Sequence, residues 1–244
     1  MSIINESVGL RMETVEVARR MSFDYLTLLI TLAVLFNLYL AATRHWKPLL
    51  IFNVGGLVNI VLEIIIVVSG TRHFSSDLLL HRVAAILALA WVTNGFLCAI
   101  VYIDTVHWLK GVYTRRFVIA ANAFLFVGLP LAMIHYGLFD GGMTVWRDAP
   151  TATAYVEPVL FVALAAVIWL IGYKKLLLRM VLIGFLIDLH FEGSLLLFGI
   201  RDVAQFDLLH FITRVCFEMN IFCCIGFLAL KAIFKLDEYK DGNL

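Results

Sequence analysis

Charge is what this sequence has least of. Asp, Glu, Lys and Arg make up 15% of its 244 residues, while hydrophobic residues reach 62%. A soluble domain carries about 25% charged and about 45–50% apolar residues. A chain of this composition cannot cover the surface of a globule with polar groups. The deficit excludes a nucleic-acid module and a disordered regulator, so no nucleic acid is expected as a partner. The net charge of +1 gives no bulk pull on partners either. Proline is scarce, at four residues: Pro48, Pro130, Pro150 and Pro158. None of the four cysteines (Cys98, Cys216, Cys223, Cys224) lies in a loop, which excludes a secreted disulfide scaffold. The thiols read as small core hydrophobes. No small-residue cleavage site precedes the first apolar run, which argues against a cleaved signal peptide.

What is there is length without charge. A bilayer core of about 30 Å needs about 20 apolar residues per helix. Seven such runs occur, at about 22–43, 48–69, 78–103, 116–138, 155–173, 176–198 and 209–231. Helix is the open-ended element that satisfies its own backbone in lipid. The expected fold is therefore an all-α integral membrane protein of seven transmembrane helices, in the lipid of a plasma or inner membrane. Residues 1–21 form a polar segment, with a short surface helix expected over 8–20. The membrane domain covers 22–233, and 234–244 is a tail. All seven lysines fall in the loops after spans one, three and five or in or beside the tail. By the positive-inside rule the C-terminus is cytoplasmic and the N-terminus outside. Arg19 and Arg20, just ahead of span one, run against this and are outvoted by the summed loops.

An internal repeat organises the domain. At an offset of 129, residues 47–81 align with 176–210 without gaps. Gly55 meets Gly184, Glu63 meets Glu192, Gly70 meets Gly199, Arg72 meets Arg201 and His81 meets His210. Asn59 meets Asp188. Repeat one is about 22–104, a linker helix about 116–138, and repeat two about 155–233. Equivalent positions lie four spans apart, so the copies share one orientation. This 3+1+3 plan with an outer N-terminus resembles, in architecture alone, the small sugar and vitamin permeases of the SWEET and PnuC type. The helix-bending prolines of SWEET-type permeases are missing from this chain.

Charged side chains within a bilayer cost about 2.5 kcal/mol or more, so each is a functional candidate. Glu63 and His81 lie roughly 9 Å and 6 Å inside the outer ends of spans two and three, and the repeat puts Glu192 and His210 at matching depth. Asn59 and Asp188, each one turn from its glutamate, would orient the pair. Arg72 and Arg201 would frame the outer mouth. Arg82, His190, Arg214 and Glu218 form a secondary polar set, with His190 expected in a different environment. Trp91 and Asn94 are candidate lining residues of span three.

Three readings fit this set. The first is a permease for a small polar solute or cation, with Glu63, His81, Glu192 and His210 as its central site and protonation of Glu and His available for coupling. The second is a metal or haem protein, or an enzyme, in which the same four residues hold zinc, iron, manganese or haem. His-Glu-x-x-His and Cys-x-x-Cys-His signatures are missing, and His210-x-x-x-Arg214 lacks the second histidine of the ceramidase zinc pair. The third is a sensor or structural subunit, in which the same groups clamp the bundle. A homo-oligomer is compatible with all three.

Overall fold

The computed structural model describes residues 14–128, 130–131, 142–150, 153–198, 201–203, 211–212 and 214–244. In chain order these form β1 (Thr14–Ser22), α1 (Phe23–Ala42), α2 (Trp46–Val68), β2 (Arg72–Phe74) and α3 (Leu79–Lys110). They continue with α4 (Arg115–Ala123), β3 (Gly142–Pro150), α5 (Thr153–Leu170), α6 (Lys174–Leu197), β4 (Arg201–Val203) and α7 (Met219–Ile233). Wide turns of the π type interrupt α3 at Leu87–Asn94, extend α4 over Phe124–Gly128 and precede α7 at Arg214–Glu218.

Among the described residues, five helices are long and apolar enough to cross a membrane: α1, α2, α3, α6 and Cys216–Ile233. The 20 residues of α1 span roughly 30 Å, the thickness of a bilayer core. Their outer faces are apolar. On α2, Leu57, Val61, Ile64, Ile65 and Val68 are exposed, while Asn59 and Glu63 are buried. On α6, Leu178, Leu182, Leu186 and Leu197 are exposed, while Asp188 and Glu192 are buried. Polar residues inside and leucines outside is the reverse of a soluble helix. Contiguous apolar surface of this extent is not left in water, and the chain is a membrane protein.

The middle of the bundle is the second half of α3, where every residue from Gly95 to Ile103 is buried. A helix buried all round belongs at a centre. α2 and α6 pack against it, and α7 packs against α2 and α6. Small residues allow the close approach. A Cβ on Gly56 would come within 2.8 Å of the Trp91 carbonyl, and one on Gly55 within 2.9 Å of Cys98 Sγ.

One end carries a four-stranded antiparallel sheet, in the order β2-β3-β1-β4. This revises the all-α expectation and, over 14–20, the expected surface helix, because Thr14–Ser22 is a strand; residues 8–13 of that expectation lie outside the described residues. Met21, Met143 and Val145 are buried on one face, and Trp146 of the other face stacks on His73. The register sets Arg72 opposite Arg147 and Arg19 opposite Arg201.

The opposite end carries the lysines and is tied together by residues 236–244. Leu236 and Tyr239 are buried. Lys47 donates to Glu238 at 2.9 Å, and Lys110 donates to the Asn243 carbonyl at 2.6 Å. The Asp241 amide donates to the Gly172 carbonyl at 3.0 Å. Its carboxylate accepts from the backbone amides of Lys174 (3.1 Å) and Lys175 (2.9 Å), capping α6 from outside the helix. Those amides, Lys175 first, hold the Asp241 carboxyl below the usual carboxylate range. Burial, reinforced by neighbouring Glu238, pushes the Tyr239 hydroxyl up to about 12.

Candidate functional site

Glu63 sits on the buried face of α2, one turn above Asn59. The helix ends at Ser69, and Gly70 turns the chain with a φ of 76°, in the left-handed region that glycine adopts at no steric cost. The turn doubles the chain back, so that Arg72 at the start of β2 reaches Glu63. Arg72 Nε donates to Glu63 Oε2 at 2.9 Å, and Nη2 donates to Oε1. Each side chain of the pair is 10% exposed. A fork-on-fork contact of this kind is among the strongest polar interactions.

His81 is placed differently from the expectation of a Glu63 partner. Its Nδ1 is 2.8 Å from Ser76 Oγ, and its ring lies on Phe23 with centroids 3.8 Å apart. Arg82 donates to the Ser76 carbonyl (2.8 Å) and to Asp77 (2.7 Å), fastening the start of α3. On α6, Asp188 and Glu192 are buried one turn apart, and both are engaged by other groups. His190 lies against Phe126, with ring centroids 4.5 Å apart. Glu218 is half-buried and engaged. His210 and the side chains of Arg201 and Arg214 lie outside what the structure describes. Among the described residues, no three His, Cys, Asp or Glu side chains gather as a metal-ligand set.

Two polar contacts were not anticipated. Asn53 of α2 donates to Asn37 of α1 at 2.7 Å and accepts from Trp91 Nε1 at 3.2 Å. This joins three helices, about 15 Å along α2 from Glu63. Asn122 of α4 donates to Asp104 of α3 at 2.8 Å. Asparagines inside apolar runs were the available signal for the first. For the second it was Asp104, one residue past the expected end of span three. Asn94 is satisfied on its own helix, donating to the Leu89 carbonyl that the wide turn frees.

The chain matches no protein-family model, no curated protein and no solved structure.

Proposed function

We propose that this chain is a seven-span permease for a small polar solute, built as 3+1+3, with protonation of buried carboxylates as the means of coupling. The carrying observation is that α2 and α6 each turn a pair of polar positions one turn apart inward, Asn59 with Glu63 and Asp188 with Glu192. Intramembrane carboxylates are costly and mark transport paths. Glu63 becomes free for a proton or a solute when Arg72 lets go.

The sheet supports the span count. Four strands in one sheet share one side of the bilayer, and the segments between β1 and β2, β2 and β3, and β3 and β4 each have room for two crossings. The element spacing supports the repeat. β4 begins 129 residues after β2, and β3 begins 128 residues after β1. β1 and β3 pair with each other, and each takes the other repeat's short strand as its second partner. The lysine-rich end then faces the cytoplasm of a plasma or inner membrane. By repeat symmetry Arg201 would stand to Glu192 as Arg72 stands to Glu63.

The Glu63–Arg72 pair also favours a second reading, a structural clamp in a sensor or assembly subunit, because the pair satisfies itself. The two readings separate in proteoliposomes carrying a pH gradient, screened with labelled polar solutes. Glu63→Gln alone lowers the Tm by removing the charged acceptor of the buried pair. Adding Arg72→Gln neutralises the pair and restores the Tm. The permease reading expects proton-coupled uptake to stay lost in that double variant. Uptake with wild-type pH dependence in a stable double variant overturns it.

A further inference from the structure

A cleft of about 600 Å³ opens between α1, α3 and α4 toward the lysine-rich end. That volume lies within the range of about 300–1,000 Å³ typical of small-molecule sites. Its walls are Leu32 and Phe36 of α1, Phe96 and Ile100 of α3, and Ala120 and Ala121 of α4. Thr114 and Arg116 close it at the lysine-rich end.

Its depth is informative. Leu32 lies ten residues from the Ala42 end of α1, or roughly 15 Å, which is half of a bilayer core of about 30 Å. The cleft therefore runs from headgroup level to the midplane, the reach of one acyl chain in one leaflet. Its electrostatics are one-sided. No acidic residue lines it. Arg116 is exposed, beside Arg115, and makes no ion pair among the described residues. Asp104, the carboxylate between α3 and α4, is held by Asn122. An apolar slot ending at an unpaired arginine complements a single-tailed contact with an anionic head. The head end is firmly framed: Tyr39 and His45 both stack on Phe117, with centroids 6.0 Å and 5.3 Å apart.

We infer that this cleft binds one anionic phospholipid of the leaflet at the lysine-rich end, with an acyl chain laid along Phe36, Phe96 and Ile100 and its phosphate at Arg116. The inference goes beyond transport and depends only on the chain residing in a membrane.

Native mass spectrometry of the detergent-purified full chain tests it, using equal amounts of phosphatidylglycerol and phosphatidylcholine. The wild type is expected to retain phosphatidylglycerol about fivefold over phosphatidylcholine, the scale of one arginine beside an anionic head. Arg116→Gln, at an exposed position, should bring the two to parity with an unchanged Tm. Ala120→Phe should fill the cleft and lower retention of both lipids. Equal retention by the wild type, a preference that survives Arg116→Gln, or retention indifferent to Ala120→Phe each overturns the site. A dimer that Ala120→Phe dissociates would make a second copy the occupant and overturn it equally.

Discussion

At the sheet-bearing end, β1 and β3 run side by side for nine residues, and Arg72 and Glu63 meet with each side chain 10% exposed. At the lysine-rich end, Lys47 and Glu238 meet with side chains 29% and 50% exposed, and Asp241 clips the start of α6. The first end is joined by backbone hydrogen bonds between distant stretches and by a desolvated ion pair. The second is joined by clips from one short terminal stretch. Desolvated charge is little screened by salt, whereas exposed charge is screened within about 10 Å at 0.1 M. The ion pair of the first end is therefore little sensitive to ionic strength, and that of the second responds to it.

Arg72→Ala attacks this contrast hardest. It strands the Glu63 carboxylate and is expected to cost about 3–5 kcal/mol, read as the loss of Tm in detergent. A wild-type Tm would erase the distinction between the ends. Gly56→Ala comes next and falls between them. Its Cβ would press on the Trp91 carbonyl, for about 1–3 kcal/mol of overpacking, whatever the salt. Lys47→Ala should cost less than about 1 kcal/mol, because exposed pairs contribute little, and nothing measurable in molar salt. An equal penalty at high salt would show that the Lys47 stem, not its charge, is what matters.

Acid and alkali sharpen the same comparison at its smallest effect. The Asp241 carboxyl titrates below its unfolded value, so its contribution is present above that value and is lost as pH falls through the folded one. Protection factors of the Lys174 and Lys175 amides, corrected for the intrinsic pH dependence of exchange, should therefore fall in acid, and Asp241→Asn should flatten the response. The Tyr239 hydroxyl is raised, so its contribution is whole below the ordinary tyrosine value of about 10. That contribution is lost as pH climbs toward about 12. Tyr239→Phe should remove this alkaline step.

The long helices were legible because lipid imposes one rule on all of them. Expected runs at 48–69 and 176–198 match Trp46–Val68 and Lys174–Leu197. Span three was read as ending at 103, because Asp104 breaks the apolar run. The helix carries on to Lys110, since Asn122 satisfies that carboxylate, and it stops at Gly111 with a φ of 63°. The sheet was not legible. Three residues in β2 and three in β4 are too few to display a period of two. Glu63 was found by its rarity in an apolar run, yet its partner was expected from a neighbouring helix. The turn at Gly70 instead delivers Arg72, nine residues on. Asn37 and Asn53 escaped notice because neutral amides do not stand out as charges do.

The strand pairings also carry a consequence for biogenesis. β1 leaves the ribosome ahead of its partners, Gly142–Pro150 and Arg201–Val203. Until more than half of these 244 residues have been made, β1 has neither partner strand, and one of its edges waits for β4 at Arg201–Val203. Contacts this far apart in sequence close late. The sheet thus closes only after β4 has been made. An early helix inserted the wrong way round would leave a strand on the far side of the bilayer, and the sheet would be short of it.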